Sequence, residues 1–211
     1  MNELLDSLRV LILYKQFLVG CLIFLVYRLP FKSAQKLDAN AIKNLEQKMK
    51  TQHFEEILGK PAEHLIELEW DHGKYEVKAG DKVDIEKVYK KPTKVTWDAD
   101  LDYYYTLLLY DYDHLRGFVH WMIGDIPENN LTAGTTFYDY YGPKLFEEGD
   151  VHRYVMVIYR QNGRTIRWAE PFVQRKTYAL RAYFNQTEFQ EQYSLGPPHA
   201  FTFFTSELNK S

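Results

Sequence analysis

Three segments constrain this chain more than any other feature: "YYYTLLLYDYD" (103–113), "FVHWMIGDI" (118–126) and "VHRYVMVIYRQ" (151–161). β-Branched and aromatic residues, which pack well on a pleated surface, crowd all three. Each is so nearly apolar throughout that neither face of a strand made from it would sit in water. They are therefore expected to be central strands of a sheet covered on both sides. A chain of 211 residues can supply that cover within one domain. With 17 Tyr and 13 Phe, the fold class reads as mostly β.

Elsewhere the periods change. In "LDANAIKNLEQKMKTQHFEEILGKP", Ile42, Leu45 and Met49 recur at helical spacing, which predicts an N-terminal helix capped by Asp38 or Asn40 and ended by Gly59-Lys60-Pro61. "HLIELEW", "KYEVKAGDKVDI" and "TKVTWDAD" read as strands broken by turn residues. One short C-terminal helix is expected as the last element. Thr187 and Gln190 form its capping box, Phe189 and Tyr193 pair four residues apart, and Gly196-Pro197 stops it.

Residues 37–211 contain no linker or repeat, so they are expected to form a single domain. The preceding 1–36 carry "FLVGCLIFLVY", Phe17 to Tyr27, a run too short alone to cross a hydrocarbon core of about 30 Å. It is expected to be a secretory signal or an uncleaved anchor, which would make the protein secreted or membrane-anchored and bring it into membrane contact. The alternatives are a helix packed on the domain, in a cytoplasmic protein, and a mitochondrial transit segment, which the early Glu3 and Asp6 oppose. Cys21, in the same run, is the only cysteine, so the domain has no disulfide, thiol nucleophile or thiolate ligand.

The 26 basic and 29 acidic residues are interspersed and leave a net charge of −3, without the basic field that drives nucleic-acid binding. No G-x-S-x-G supports serine catalysis, no HExxH or cysteine pair supports zinc, and no glycine-rich loop of the phosphate-gripping kind is present. The chain reads as neither an enzyme nor a metalloprotein, and no cofactor is expected. "RKTYALR", Arg175 to Arg181, reads most simply as a solvated face. Three polar groups interrupt the central strands: Asp111, His120 and His152. Each by itself is an ordinary satisfied core residue, since a buried polar group needs only a partner. Two imidazoles and a carboxylate on neighbouring strands would equally line a pocket that offers N–H donors to an anion.

"KPTKVTWDAD", "YTLLLYDYD", "FVHWMIGDIPENNLTAGT", "YDYYGPK", "VHRYVMVIYRQ" and "FQEQYSLGPPHAFTFF" follow one another in the order and spacing of the phosphatidylethanolamine-binding protein family. Over roughly Leu65 to Glu207 the chain resembles a divergent member. The resemblance implies a large antiparallel sheet packed on a smaller one, with a small surface pocket for phosphate-like groups. It implies that Asp111, His120, Gly142, His152 and Tyr154 are the ligand-binding residues, with Arg153 on the opposite face of its strand. This chain departs from the family at Tyr112, where a proline is usual, and at Phe118, where a tryptophan is usual. Its loop before His120 is short, Lys144, Leu145 and Phe146 replace a glycine and prolines, and no C-terminal helix is expected after "FTFFTSE".

The leading expectation is non-enzymatic binding of an anionic small molecule such as a phospholipid head group. A second is a protein-interaction or inhibitory module acting on a kinase or protease. A third is a structural subunit with a lost pocket, as in the related mitochondrial ribosomal protein. The targeting expectation is open to test. On secretory entry Asn130-Leu131-Thr132 and Asn185-Gln186-Thr187 become acceptors for glycosylation. Glycosidase treatment and N-terminal sequencing of the natural protein should show a glycan; a cytosolic protein with an intact start and no glycan would contradict the secretory reading.

Overall fold

The structure, a computed structural model, describes residues 37–59, 62, 64–144, 150–163 and 165–207. The expectations placed on residues 1–36 and on Leu145 and Phe146 lie outside the described residues. The three apolar segments form β6 (Tyr104–Asp111), β7 (Phe118–Pro127) and β9 (Val151–Arg160). With β1 (His64–Leu65), β4 (Asp81–Lys82), β8 (Thr135–Tyr138) and β10 (Ala200–Glu207) they make a seven-stranded sheet of order β1-β10-β9-β6-β7-β8, in which β4 also pairs with β10. β2 (Glu67–Trp70), β3 (Tyr75–Val77) and β5 (Lys94–Thr96) form a second, three-stranded sheet.

The large sheet is covered on both faces, as its central strands require. On β9, Val155, Val157 and Tyr159 look one way and Tyr154, Met156 and Ile158 the other, all 0 % exposed. The first face packs on Leu45, Met49 and Phe54 from the N-terminal helices and on Phe189. The second packs on the small sheet through Leu68, Trp70, Val77, Val95 and Trp97.

Several expectations are corrected. The large sheet is mixed, because β1 and β4 each run parallel to β10 while β10, β9, β6, β7 and β8 pair antiparallel. "HLIELEW" is two strands, with the chain leaving the large sheet at Ile66 to enter the small one. The C-terminal helix is not the last element: β10 follows it and pairs with β9 along its whole length.

Helix α1 (Ala39–Thr51) is capped by Asp38, whose carboxylate accepts from the Ala41 N–H at 2.7 Å, and it buries Leu45 and Met49 as its period demands. It stops eight residues before Gly59, turning at His53 (φ 57°) into the single turn α2 (Glu55–Leu58). A straight helix would place Phe54 about 140° round from Met49. The break instead buries it fully against Phe203, at a ring separation of 4.3 Å. A further single turn, α3 (Ile85–Val88), leads to β5. The C-terminal helix α4 (Gln186–Gln192) is capped by Asn185, two residues before the expected Thr187, with its side-chain Oδ1 accepting from the Thr187 and Glu188 N–H groups. Phe189 and Tyr193 do pair, at 5.1 Å, and the chain reverses at Ser194 (φ 51°) ahead of Gly196.

Between β6 and β7 the connection is tight. Leu115, Arg116 and Gly117 are consecutive residues of positive φ, and the loop's carbonyls at 115 and 117 accept from the N–H groups of Tyr183 and Phe184. Gly117 has φ 101°, and a Cβ there would lie 2.1 Å from the Phe184 carbonyl oxygen. Gly117→Ala should therefore destabilise the fold by about 1–3 kcal/mol, measured by urea denaturation. Unchanged stability would mean that this approach does not hold the loop.

Candidate functional site

Asp111 ends β6, the strand between β9 and β7, and is 1 % exposed. A buried carboxylate needs hydrogen bonds on both oxygens. One oxygen accepts from the backbone N–H groups of Asp113 (2.9 Å) and His114 (3.0 Å); the other accepts from His152 Nδ1 at 2.6 Å. Strand pairing sets Asp111 opposite Tyr154, so alternation brings His152 and Tyr154 to the same face. Arg153 points the other way, as expected. Its guanidinium grips Asp113 through Nη2 to Oδ1 at 2.6 Å and Nε to Oδ2 at 2.9 Å, and it covers the Tyr112 ring.

His120 arrives by a different device. Leu109 pairs with Trp121 and Tyr110 with Val119, so His120 is the extra residue of a β-bulge. Simple alternation would have put it on the face of Met122, among the helices. The bulge turns it to the face of Tyr154, with ring centroids 5.5 Å apart. Its Nδ1 lies 2.6 Å from the Tyr141 carbonyl oxygen, while the Tyr141 N–H returns to the His120 carbonyl at 2.7 Å. Gly142 follows at once. A Cβ there would meet the Tyr89 carbonyl oxygen at 1.9 Å, so only glycine lets these two backbones touch.

The wall around these groups is aromatic. Phe118, 1 % exposed, lies 4.9 Å from Tyr178, 5.1 Å from His120 and 5.2 Å from His114 between ring centroids. His114 Nε2 hydrogen-bonds the Tyr178 hydroxyl, and its ring stands 5.6 Å from that of His152. Lys144 is exposed, its ammonium 5.5 Å from the Tyr141 ring and 5.6 Å from the Tyr89 ring. Asp111, His120, His152 and Tyr154 are thus brought together, and Gly142 adjoins them through Tyr141.

Four participants escaped the sequence reading: His114, Tyr141, Tyr178 and Arg181. "RKTYALR" is not a solvated face at its end, because Arg181 is 0 % exposed. Its guanidinium donates to the carbonyls of Val119 (3.0 Å) and Asp139 (2.8 Å) and approaches that of His120 (3.4 Å). It thereby ties the bulge to the segment that carries Tyr141 and Gly142. A lone arginine between apolar residues looks the same in sequence whether buried or solvated; the histidine of "DYDHLRG", close after Asp111, was the one signal available.

Burial and charge set the two pocket imidazoles apart. Burial pushes His120 down to about 4, against the weaker pull of Asp111 and the Tyr141 hydrogen bond. Burial also opposes protonation of His152, but the hydrogen bond and charge of Asp111, with Asp150 and Asp113 behind it, outweigh that and raise its pKa. Burial pushes the Tyr154 hydroxyl far up, with Asp111 adding to the effect. Among the described residues no group of three or more His, Cys, Asp or Glu is placed to hold a metal ion.

The family described as "Phosphatidylethanolamine-binding protein" matches residues 75–193. Protein FLOWERING LOCUS T of Arabidopsis thaliana is 33% identical over 158 residues, covering 70% of this chain and 83% of that protein. Among solved structures, carboxypeptidase Y inhibitor, complexed with its cognate proteinase, superposes with a TM-score of 0.65 at 18% identity, over 80% of this chain and 97% of the inhibitor. A phosphatidylethanolamine-binding protein from Plasmodium vivax gives 0.56 at 17% identity, over 78% and 97%. At these identities the two structures speak for the fold alone.

The two imidazoles predict opposite limbs of a stability profile. Between about 4 and about 6.5 the unfolded chain takes up a proton that folded His120 refuses, so stability rises with pH there. Above about 6.5 folded His152 keeps a proton that the unfolded chain releases, so its contribution is complete below that value and is lost as pH rises through the folded pKa. In urea denaturation across pH, His120→Phe should remove the acid limb and Asp111→Asn the alkaline one. An alkaline limb unchanged in Asp111→Asn would show that the pair does not hold the proton.

Proposed function

This chain belongs to the phosphatidylethanolamine-binding protein family, and from that premise we propose that it is a non-catalytic binding module for a small phosphorylated anion. The pocket is that of Asp111, His120, Gly142, His152 and Tyr154. The observation that carries this reading is the buried Asp111–His152 pair. Asp111 occupies Nδ1 and favours the imidazolium form, which leaves the Nε2–H for a ligand oxygen. An imidazolium held in a mostly aromatic wall is a built anion donor, since little water competes for it. Lys144 adds a cation at the rim. Asp150 opposes it, with a carboxylate oxygen 4.0 Å from His152 Nε2, so an incoming anion must turn that group aside.

A second reading, a protein-contact or inhibitory module, is favoured by one observation. Phe172, Leu180 and Tyr183 are 58, 59 and 71 % exposed on the segment that also carries Tyr178. The fold is shared with an inhibitor solved on its cognate proteinase, and a protease is the partner class this supports.

Calorimetric titration with inorganic phosphate and phosphoethanolamine tests the first reading. His152→Ala should lose one hydrogen bond to a charged ligand, about 1.5–3 kcal/mol or about tenfold to a hundredfold in affinity. Asp150→Asn should bind more tightly than wild type and Lys144→Gly less tightly. If wild type binds neither ligand anywhere between about pH 5 and pH 8, the anion reading fails and the protein-contact reading takes its place.

A further inference from the structure

One buried polar atom of the site, His120 Nε2, has no hydrogen-bond partner among the described residues. The residue is 3 % exposed, and its ring meets the Tyr154 ring edge-on at a centroid separation of 5.5 Å. Buried polar atoms are rarely left unpaired, so this one marks where a ligand's own polar atom belongs.

What His120 Nε2 offers follows from its other nitrogen. The Tyr141 carbonyl oxygen 2.6 Å from Nδ1 can only accept, so Nδ1 carries the hydrogen. In the neutral ring Nε2 is then a bare lone pair, and neutral is the form that burial imposes. Turning the ring over would set Cδ2 in place of Nδ1–H against the Tyr141 carbonyl and forfeit that hydrogen bond. His120 is thus an acceptor where the sequence had suggested a second donor to an anion. A fully deprotonated phosphate oxygen would meet lone pair against lone pair there.

Building on the anion reading above, we propose that the pocket selects an anion carrying its own hydrogen-bond donor, a singly protonated phosphate monoester. Its P–O–H hydrogen goes to His120 Nε2, while a charged oxygen accepts from His152 Nε2–H. A phosphate diester has the same single negative charge but no such hydrogen, so charge alone does not distinguish the two. Other titratable or charged groups face these imidazoles. Asp111, His114 and Arg181 surround His120, and Asp111, Asp113, Asp150 and His114 surround His152. All of them act equally on a monoester monoanion and a diester, so a comparison of the two cancels their effect.

The test titrates the full chain with methyl phosphate and dimethyl phosphate at about pH 5, where both are monoanions because the second pKa of a phosphate monoester is about 6. Methyl phosphate should bind about tenfold more tightly, and its advantage should shrink as pH rises through about 6 and the P–O–H is lost. His120→Phe should abolish the preference. Nitrogen-15 spectra of the wild-type imidazoles decide the matter even if that variant fails to fold. His120 Nε2 should resonate as a non-protonated nitrogen and should shift with methyl phosphate but not with dimethyl phosphate. Short-chain phosphatidic acid, a monoester with acyl chains, identifies the source. Tighter binding than methyl phosphate assigns the group to a lipid head, equal binding assigns it to a soluble monoester, and either upholds the chemistry. If both methyl esters bind alike with Nε2 unmoved, this inference falls and the anion reading stands; if neither binds, both fall.

Discussion

The carboxylate of Asp111 is the interaction on which the rest of the site depends. It sits at the end of the strand between β9 and β7 and reaches β9 through His152 and its own loop through two amides. One oxygen folds the following turn by accepting from two successive amides, and the other fixes the tautomer and raises the basicity of His152. A carboxylate at 1 % exposure is costly unless every lone pair is engaged. That requirement makes the turn, the imidazole and the strand end a single cooperative unit. The short rim follows from it: Asp113, placed by the turn, takes Arg153 from the far face of β9 and clamps the loop to the sheet.

His120 shows how a small irregularity changes chemistry. In a regular strand its ring would lie among apolar helix contacts. The bulge moves it one face over, and Arg181 and Tyr141 hold the bulged backbone in place. Arg181 is a buried cation hydrogen-bonded to carbonyl oxygens, an arrangement that costs desolvation and is compensated only by its many bonds. Its position explains why a residue with no contact to the pocket's imidazole rings matters to their aim. The two histidines are pushed in opposite directions, His120 toward the neutral form by burial and His152 toward the imidazolium by a carboxylate.

The aromatic wall does two jobs at once. Phe118, Tyr141, Tyr154 and Tyr178 exclude water from the imidazoles, which strengthens every polar contact within, and they close one end of the sheet where strand pairing stops. The tight turn at Leu115 to Gly117 brings His114 over His152, a placement that a longer loop would not impose. Gly142 serves the same economy of space, since its missing side chain lets the backbone pass against Tyr89.

Much of this was legible in the sequence, and the reason is local. β-Branched and aromatic runs apolar on both faces can only be interior strands, so β6, β7 and β9 and the mostly β class could be read directly, as could the first helix from Ile42, Leu45 and Met49, while the choice of Asp38 over Asn40 as its cap was left to the structure. Asp111, His120 and His152 stood out because polar groups in such strands need partners. The tertiary structure decided what depends on contacts between distant residues. β10 earns its place only beside β9, and the parallel pairing of β1 and β4 exists only because β10 offers them an edge. The early end of α1 follows from the burial of Phe54 against Phe203, 149 residues on in a strand not yet formed when the helix period is read. No sequence period announces the bulge at His120 or the burial of Arg181, because both are set by strand register and by carbonyls brought from elsewhere. The chain's own residues thus marked the polar groups that needed partners, while register and burial decided which partner each histidine nitrogen meets, and so what each can bind.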